Sequence, residues 1–217
     1  MINDPPSIEI ELTSRCTLFC PECPRTKDAK QEEHLWNFGE LSIDLVEQLL
    51  KNTPGTRNII FSGGYGDPIY HSKFIEIMEL CKIYNKMVTV NTNGSYRNSE
   101  WWSKLANTMG SKVNFVFSVD GLEDTNKVYR INSDWSSILT GMKIMASESA
   151  ATTEWKWILF RQNQDQVEQG YKLSKDIGID SFMVVNSGRP YPPGMQPTIP
   201  FDEVLHRLER VKNDIRS

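Results

Sequence analysis

This sequence predicts an α/β fold: an all-parallel sheet rolled into a partial (β/α)6 TIM-like barrel, followed by a C-terminal helix. Three observations carry that expectation. Six short β-rich apolar runs alternate with segments of helical period, and parallel neighbours need helical crossovers. Six such units, with right-handed connections, suit a barrel or partial barrel better than a short open sheet. Each run also ends in small, polar or metal-binding residues, and in parallel α/β folds the carboxyl ends of the strands form the site. A flavodoxin-like or Rossmann sheet is the structural alternative.

The elements follow in order. Ile8–Leu12 is the first strand, with Glu9 and Glu11 alternating with Ile8, Ile10 and Leu12, so that they face either the barrel interior or solvent. TSRCTLFCPEC comes next. Ser42 caps a helix carrying Leu45, Val46, Leu49 and Leu50, which Pro54-Gly55 ends. The strand Asn58–Phe61 runs into SGGYGDP, and Ser72 caps a helix with Phe74, Ile77, Met78 and Cys81 on one face. Strand Met87–Val90 ends in NTNG and is followed by a helix over Ser99–Met109. Strand Val113–Phe117 ends in SVDG, with a helix over Trp135–Ser147. Strand Trp155–Phe160 ends in RQN, with a helix over Gln164–Ile177 that Gly178 stops. Strand Ser181–Val185 ends in NSGR. A loop over Asn186–Pro200, with five prolines and two glycines, leads to a helix over Phe201–Ile215 with apolar residues at 201, 204, 205, 208, 211 and 215. The expected division is therefore a core barrel over 1–189 and a proline-rich loop and helix over 190–217, packed on the barrel or leading onward.

Composition excludes several classes. The 217 residues are 39% hydrophobic and 24% charged, which are ordinary globular values for one large or two small domains. The net charge of −4 is spread along the chain, so there is no clear nucleic-acid footprint. No apolar run reaches the ~18 residues of a membrane span, and MINDPPSIEIE lacks the pattern of a signal peptide. Of the four cysteines, at 16, 20, 23 and 81, the first three are too clustered for a secreted disulfide framework. They read as metal ligands in the reducing cytoplasm.

Cys16, Cys20 and Cys23 are spaced C-x3-C-x2-C in CTLFCPEC. Thiolates hold iron–sulfur clusters, and three ligands on a four-iron cubane leave one iron open to a small chelating molecule. A zinc site needs a fourth ligand, for which His34 is the nearest candidate, and no second knuckle accompanies it. Cys81 lies on an apolar helix face and reads as core. SGGYGDP brings three glycines, which let backbone approach a ligand closely, and the carboxylate of Asp67, an acceptor for an ammonium group. It also reads as a plain turn, as do NTNG and SVDG. His71 is expected as a capping or surface residue, His206 as a solvated one, and the tryptophans as core.

CTLFCPEC, GYGDP and NTNG, each after its strand, together with SVDGLEDTNKVYR, resemble the radical S-adenosylmethionine (radical SAM) enzymes. The likeness runs from about Ile8 to Arg189, and the last stretch is similar to the peptide-modifying and cofactor-building branches. The resemblance implies a [4Fe-4S] cluster held by Cys16, Cys20 and Cys23, with S-adenosylmethionine (SAM) chelating the open iron. It places the methionine amine on Gly64, Gly66 and Asp67, and the ribose or methionine part on Asn91, Asn93, Ser118 and Asp120. Arg130 would lie near the SAM carboxylate or the substrate, and Asn163 near ribose or adenine. It also implies reductive cleavage of SAM, an electron donor such as flavodoxin or ferredoxin, and hydrogen abstraction from a peptide or small-molecule substrate. Two residues depart from the family pattern. Glu22 stands where an aromatic residue usually precedes the third cysteine, and Asp67 replaces a glutamate. No cysteine follows Cys81, so no auxiliary-cluster domain of the SPASM or twitch type is expected within these residues. A zinc- or cluster-stabilised binding module without catalysis is the competing reading.

Overall fold

The computed structural model describes residues 4–31 and 39–216. Its sheet has six parallel strands in sequential order: β1 (Ser7–Ile10), β2 (Asn58–Phe61), β3 (Met87–Thr92), β4 (Val113–Ser118), β5 (Thr152–Ile158) and β6 (Ser181–Val185). Each strand pairs with the next, so β1 and β6 are the edges of an open barrel. The helices between them are α1 (Pro24–Gln31), α2 (Ile43–Asn52), α3 (Phe74–Ile83), α4 (Ser99–Thr108), α5 (Glu123–Tyr129), α6 (Trp135–Glu148) and α7 (Val167–Ile177), with α8 (Phe201–Arg216) last.

The two faces of the sheet differ in chemistry. One row of alternate residues (Ile59 and Phe61, Val88 and Val90, Phe115 and Phe117, Trp155 and Trp157, Phe182 and Val184) is buried in the main core beneath the helices. The other row holds Thr89, Asn91, Asn114, Ser118, Glu154, Lys156 and Ser181, all partly accessible. Side chains alternate across a strand, so the apolar set packs outward on the helices and the polar set turns inward. An inner face of this kind lines a cavity; it does not close a dry core.

Most helix signals operate as the sequence suggests. Ser42 caps α2 by accepting from Leu45 N, and Gly178 (φ 93°) ends α7 in the left-handed conformation. Ser72 does not cap α3. Its hydroxyl and its N–H both bond to the Glu40 carboxylate, a stronger acceptor than a helix end offers, and α3 begins without a side-chain cap. β5 ends at Ile158, short of Phe160, because Asn163 draws the Phe160 N–H into a turn. α7 starts at Val167 and not at Gln164, whose amide instead binds the backbone of Thr198 and Ile199 and so ties down the proline-rich loop.

α8 lies on α7. Val204 and Leu208 enter the core, and Arg207 makes two bonds to Glu168. His71 is buried, which corrects its reading as a surface residue: Nδ1 accepts from Lys73 N, so Nε2 carries the proton donated to the Leu41 carbonyl. His206 is exposed, Cys81 is core, and Trp102, Trp155 and Trp157 are fully buried. Among the described residues no helix is long and apolar enough to cross a membrane.

Candidate active site

A cavity of about 460 Å³ opens at the carboxyl ends of the strands. Cys16, Cys20 and Cys23 line it, and so do Gly64, Gly66, Asp67, Asn91, Asn93, Ser118 and Arg130. Loops separated by more than a hundred residues thus meet at one rim. Asp120 and Asn163 stand behind that wall and do not line it.

The cysteine loop is held from both sides. Phe19 N donates to the Ile131 carbonyl, and the Asn132 amide donates to the Thr17 carbonyl. Cys16 Sγ accepts from Leu18 N and from Asn93 Nδ2, each at 3.4 Å. Burial, followed by the nearby Asp67 charge, pushes the Cys16 thiol up to about 12, and burial also raises Cys20. Thiols in such a site ionise only when a metal supplies the compensating charge. Arg25, only 4% exposed, is a cation that acts on Cys16, as Arg130 acts on Cys20. Its guanidinium donates to the Leu18 carbonyl, faces the Phe19 ring and pairs with no carboxylate among the described residues.

The glycine segment is pinned by a residue that no motif announces. Glu11, on the inward face beyond β1, accepts from Ser62 Oγ (2.8 Å), Gly64 N (2.7 Å) and Tyr65 N (3.4 Å). A Cβ on Gly64 would stand 2.6 Å from Glu11 Oε1, and one on Gly66 would overlap the Thr13 carbonyl. Glycine is required at position 66, where backbone meets backbone, whereas at position 64 a Cβ would displace the Glu11 carboxylate from its bond to Gly64 N.

Asp67 is 3% exposed and its acceptors are engaged by its own chain. Oδ1 accepts from Ile69 N (3.2 Å) and Thr92 Oγ1 (2.8 Å); Oδ2 accepts from the backbone N–H and the side-chain amide of Asn93, both at 2.6 Å. Burial raises its carboxyl to about 6 against the pull of those donors. Asp67 therefore locks the loop after β2 to the end of β3, and through Asn93 it reaches Cys16.

Asp120 is fully buried and holds the opposite wall. Oδ2 accepts from Arg130 Nε (2.7 Å), Oδ1 from Ile158 N (2.8 Å), and its backbone N–H donates to Asn126. Burial opposes the Arg130 charge, but the Asp120 carboxylate and Cys20 outweigh it, and the guanidinium pKa is raised. Asn163, also fully buried, bonds the carbonyls of Asp120 and Ile158 and accepts from Phe160 N. These two residues aim Arg130 at the cavity and give the wall its shape.

The chain matches the radical SAM superfamily over residues 10–195. It belongs to that family. Among curated proteins it is similar to a tungsten-containing aldehyde ferredoxin oxidoreductase cofactor-modifying protein of Pyrococcus furiosus, at 24% identity over 188 residues, covering 82% of this chain and 50% of that protein. Among solved structures it resembles Streptococcus suis SuiB bound to S-adenosylmethionine (TM-score 0.72, 16% identity, 98% of this chain and 48% of that one). It also resembles anSMEcpe with bound AdoMet (TM-score 0.66, 17% identity, 87% and 55%). The chain spans about half the length of these relatives.

The residues present fit the family's cofactors, a [4Fe-4S] cluster and SAM. Three thiols, Cys20 buried and Cys16 and Cys23 half-buried, share one cavity wall with the buried Arg25. Among the described residues no three His, Cys, Asp or Glu side chains are grouped to hold a single metal ion, as zinc requires. His34, the candidate fourth zinc ligand, lies outside the described residues. Glu22, in the slot of the usual aromatic, pairs with Lys27 and does not line the cavity. Aromatic surface comes instead from Tyr129 of α5, which lies against Phe160 (centroids 4.3 Å apart) and forms a small apolar cluster with Leu18 and Cys20. Tyr129 sits in the SVDGLEDTNKVYR stretch, and the fold brings its ring to the cavity wall.

Proposed function

We propose that this chain is the catalytic barrel of a radical SAM enzyme, with the reaction chamber in the cavity at its rim. The observation that carries the reading is the meeting of Cys16, Cys20 and Cys23 with the glycine segment and Arg130 around that one cavity. Cys16, Cys20 and Cys23 would hold a [4Fe-4S] cluster there, which would supply the electron for reductive cleavage of SAM and so the means of hydrogen abstraction from substrate.

The chain's own residues bind and orient. Cys16, Cys20 and Cys23 are the metal ligands. The carbonyls of the Gly63–Gly64 segment receive an ammonium group, because the Asp67 carboxylate already has four donors; Asp67 acts by holding that segment. Arg130, aimed by Asp120, presents its outer nitrogens to a carboxylate. Asn91, Asn93 and Ser118 offer hydrogen bonds to ribose or to the amino-acid part, with Asn163 supporting from behind. Ile158, Tyr129 and Leu18 supply the apolar wall, which excludes water from a reactive intermediate.

A peptide substrate is the first reading, from the SVDGLEDTNKVYR likeness, in a protein of the reducing cytoplasm served by a flavodoxin or ferredoxin. Anaerobic reconstitution with iron and sulfide, then reduction with SAM present, should yield 5′-deoxyadenosine and about four irons per chain. Cys20→Ala should lose the cluster. One zinc per chain without iron–sulfur absorption, or full iron content in Cys20→Ala, would overturn the assignment.

A further inference from the structure

The inner wall of the barrel carries a charged residue that neither cluster nor SAM accounts for. Across β4, β5 and β6 one inward row reads Ser118, Lys156, Met183. Trp155 and Trp157, its chain neighbours, are fully buried under the helices, so Lys156 turns to the opposite side and lines the cavity. A lysine facing inward from a central strand loses hydration and needs a partner. The Lys156 ammonium has no hydrogen bond or ion pair with any described residue; its charged neighbour is Glu154, two residues back on the same face.

The other basic side chains lining the cavity are anchored. Arg130 bonds Asp120, Arg25 bonds the Leu18 carbonyl, and Arg189 Nη1 bonds the Glu22 carbonyl at 3.1 Å. Among the described residues, Lys156 is the cation in this wall with its whole donor set unengaged. Glu9, from β1, lines the same cavity.

We propose that Lys156 receives a carboxylate of the substrate, so that the molecule processed in this cavity is a carboxylic acid. This rests on the cavity being the reaction chamber. One ammonium, with three N–H donors, balances one carboxylate. A phosphate dianion would meet Glu9 in the cavity wall, with Glu154 on the same face two residues before Lys156, and a single unengaged cation to offset them. Ile158 and Met183, the latter 40% exposed, give apolar surface beside the lysine for the rest of the molecule.

The test uses the full chain, reconstituted and loaded with SAM but without reductant, and reads acetylation of each lysine by peptide mass mapping. N-acetylglycine is the carboxylate probe, with N-acetylglycinamide and inorganic phosphate as the other arms. At about ten times its Kd, N-acetylglycine should slow acetylation of Lys156 about tenfold, while exposed Lys51 reacts as before. The amide and phosphate should leave Lys156 unprotected. In a second measurement, saturation-transfer NMR, Lys156→Met should weaken N-acetylglycine binding about tenfold, one charge-assisted hydrogen bond, and Lys156→Arg should retain it. Absence of protection, equal protection by the amide, or stronger protection by phosphate overturns the assignment. Complete masking by SAM alone, or loss of SAM binding in Lys156→Met, would give the lysine to the cofactor instead. Because no reductant is present, these outcomes are read independently of SAM cleavage, whose failure counts against the chamber itself.

Discussion

Replacing Arg130 by methionine keeps the length and apolar stem of the side chain and removes its charge. Asp120 is fully buried, and its Oδ2 loses a bond of 2.7 Å while Oδ1 keeps only Ile158 N. Two charges about 4 Å apart in surroundings of effective dielectric about 20 attract by about 4 kcal/mol. Breaking a buried pair from one side costs about 3–5 kcal/mol, because the remaining charge has no partner. Arg130→Met should therefore lose about 4 kcal/mol, a fall in Tm of roughly 8–16 °C for a chain of this size. The double variant Asp120→Asn with Arg130→Met leaves no buried charge and keeps an acceptor for Ile158 N, so it should recover much of that loss. Thermal unfolding followed by circular dichroism at neutral pH measures all three proteins. A loss below about 1 kcal/mol, the range of exposed pairs, would refute the reasoning. So would a double variant no more stable than Arg130→Met.

Gly66→Ala should push the Thr13–Arg15 segment and with it Cys16, costing about 1–3 kcal/mol or more and lowering the iron bound after reconstitution. Gly110→Ala, where a Cβ meets nothing within 4 Å, is the control that should change neither. The Asp67 carboxyl, raised to about 6 from 3.8, contributes stability that is full below the unfolded value and is lost as pH rises through the folded one. Wild type should therefore gain on the order of 1 kcal/mol relative to Asp67→Asn between pH 7.5 and pH 5 in urea unfolding; a relative loss on acidification would show that its four donors outweigh burial. Arg25→Met removes the buried cation beside the three thiols and should lower the cluster's reduction potential in an EPR-monitored titration, whereas an unchanged or higher potential would deny Arg25 an electrostatic role.

Much of the architecture was legible because its signals are local. Periods of two and 3.6 separate strands from helices whatever the partner. The Ser42 cap and the Gly178 stop are decided within a turn. α1 and α5 escaped notice because they are short and partly polar, α1 beginning at a proline that follows the last cysteine of the loop. Ser72 misled because its better acceptor, Glu40, lies 32 residues away. In the candidate site, the cysteine spacing and the glycine segment stood out in the sequence. Glu11, Arg25 and Tyr129 did not, since an isolated glutamate, arginine or tyrosine carries no spacing.

The sequence by itself determined the order of the six strands and of the longer helices and placed three thiols in one short loop, because both depend on neighbours within a few residues. The tertiary structure decided what those loops do together. It turned Glu9, Ser118 and Lys156 inward and Trp155 and Trp157 outward, a choice set by which row of each strand could bury its apolar surface against helices. It also engaged Asp67, Asp120 and Asn163 in holding the wall, because a buried carboxylate or amide must satisfy its hydrogen bonds, and here the donors and acceptors come from the chain itself.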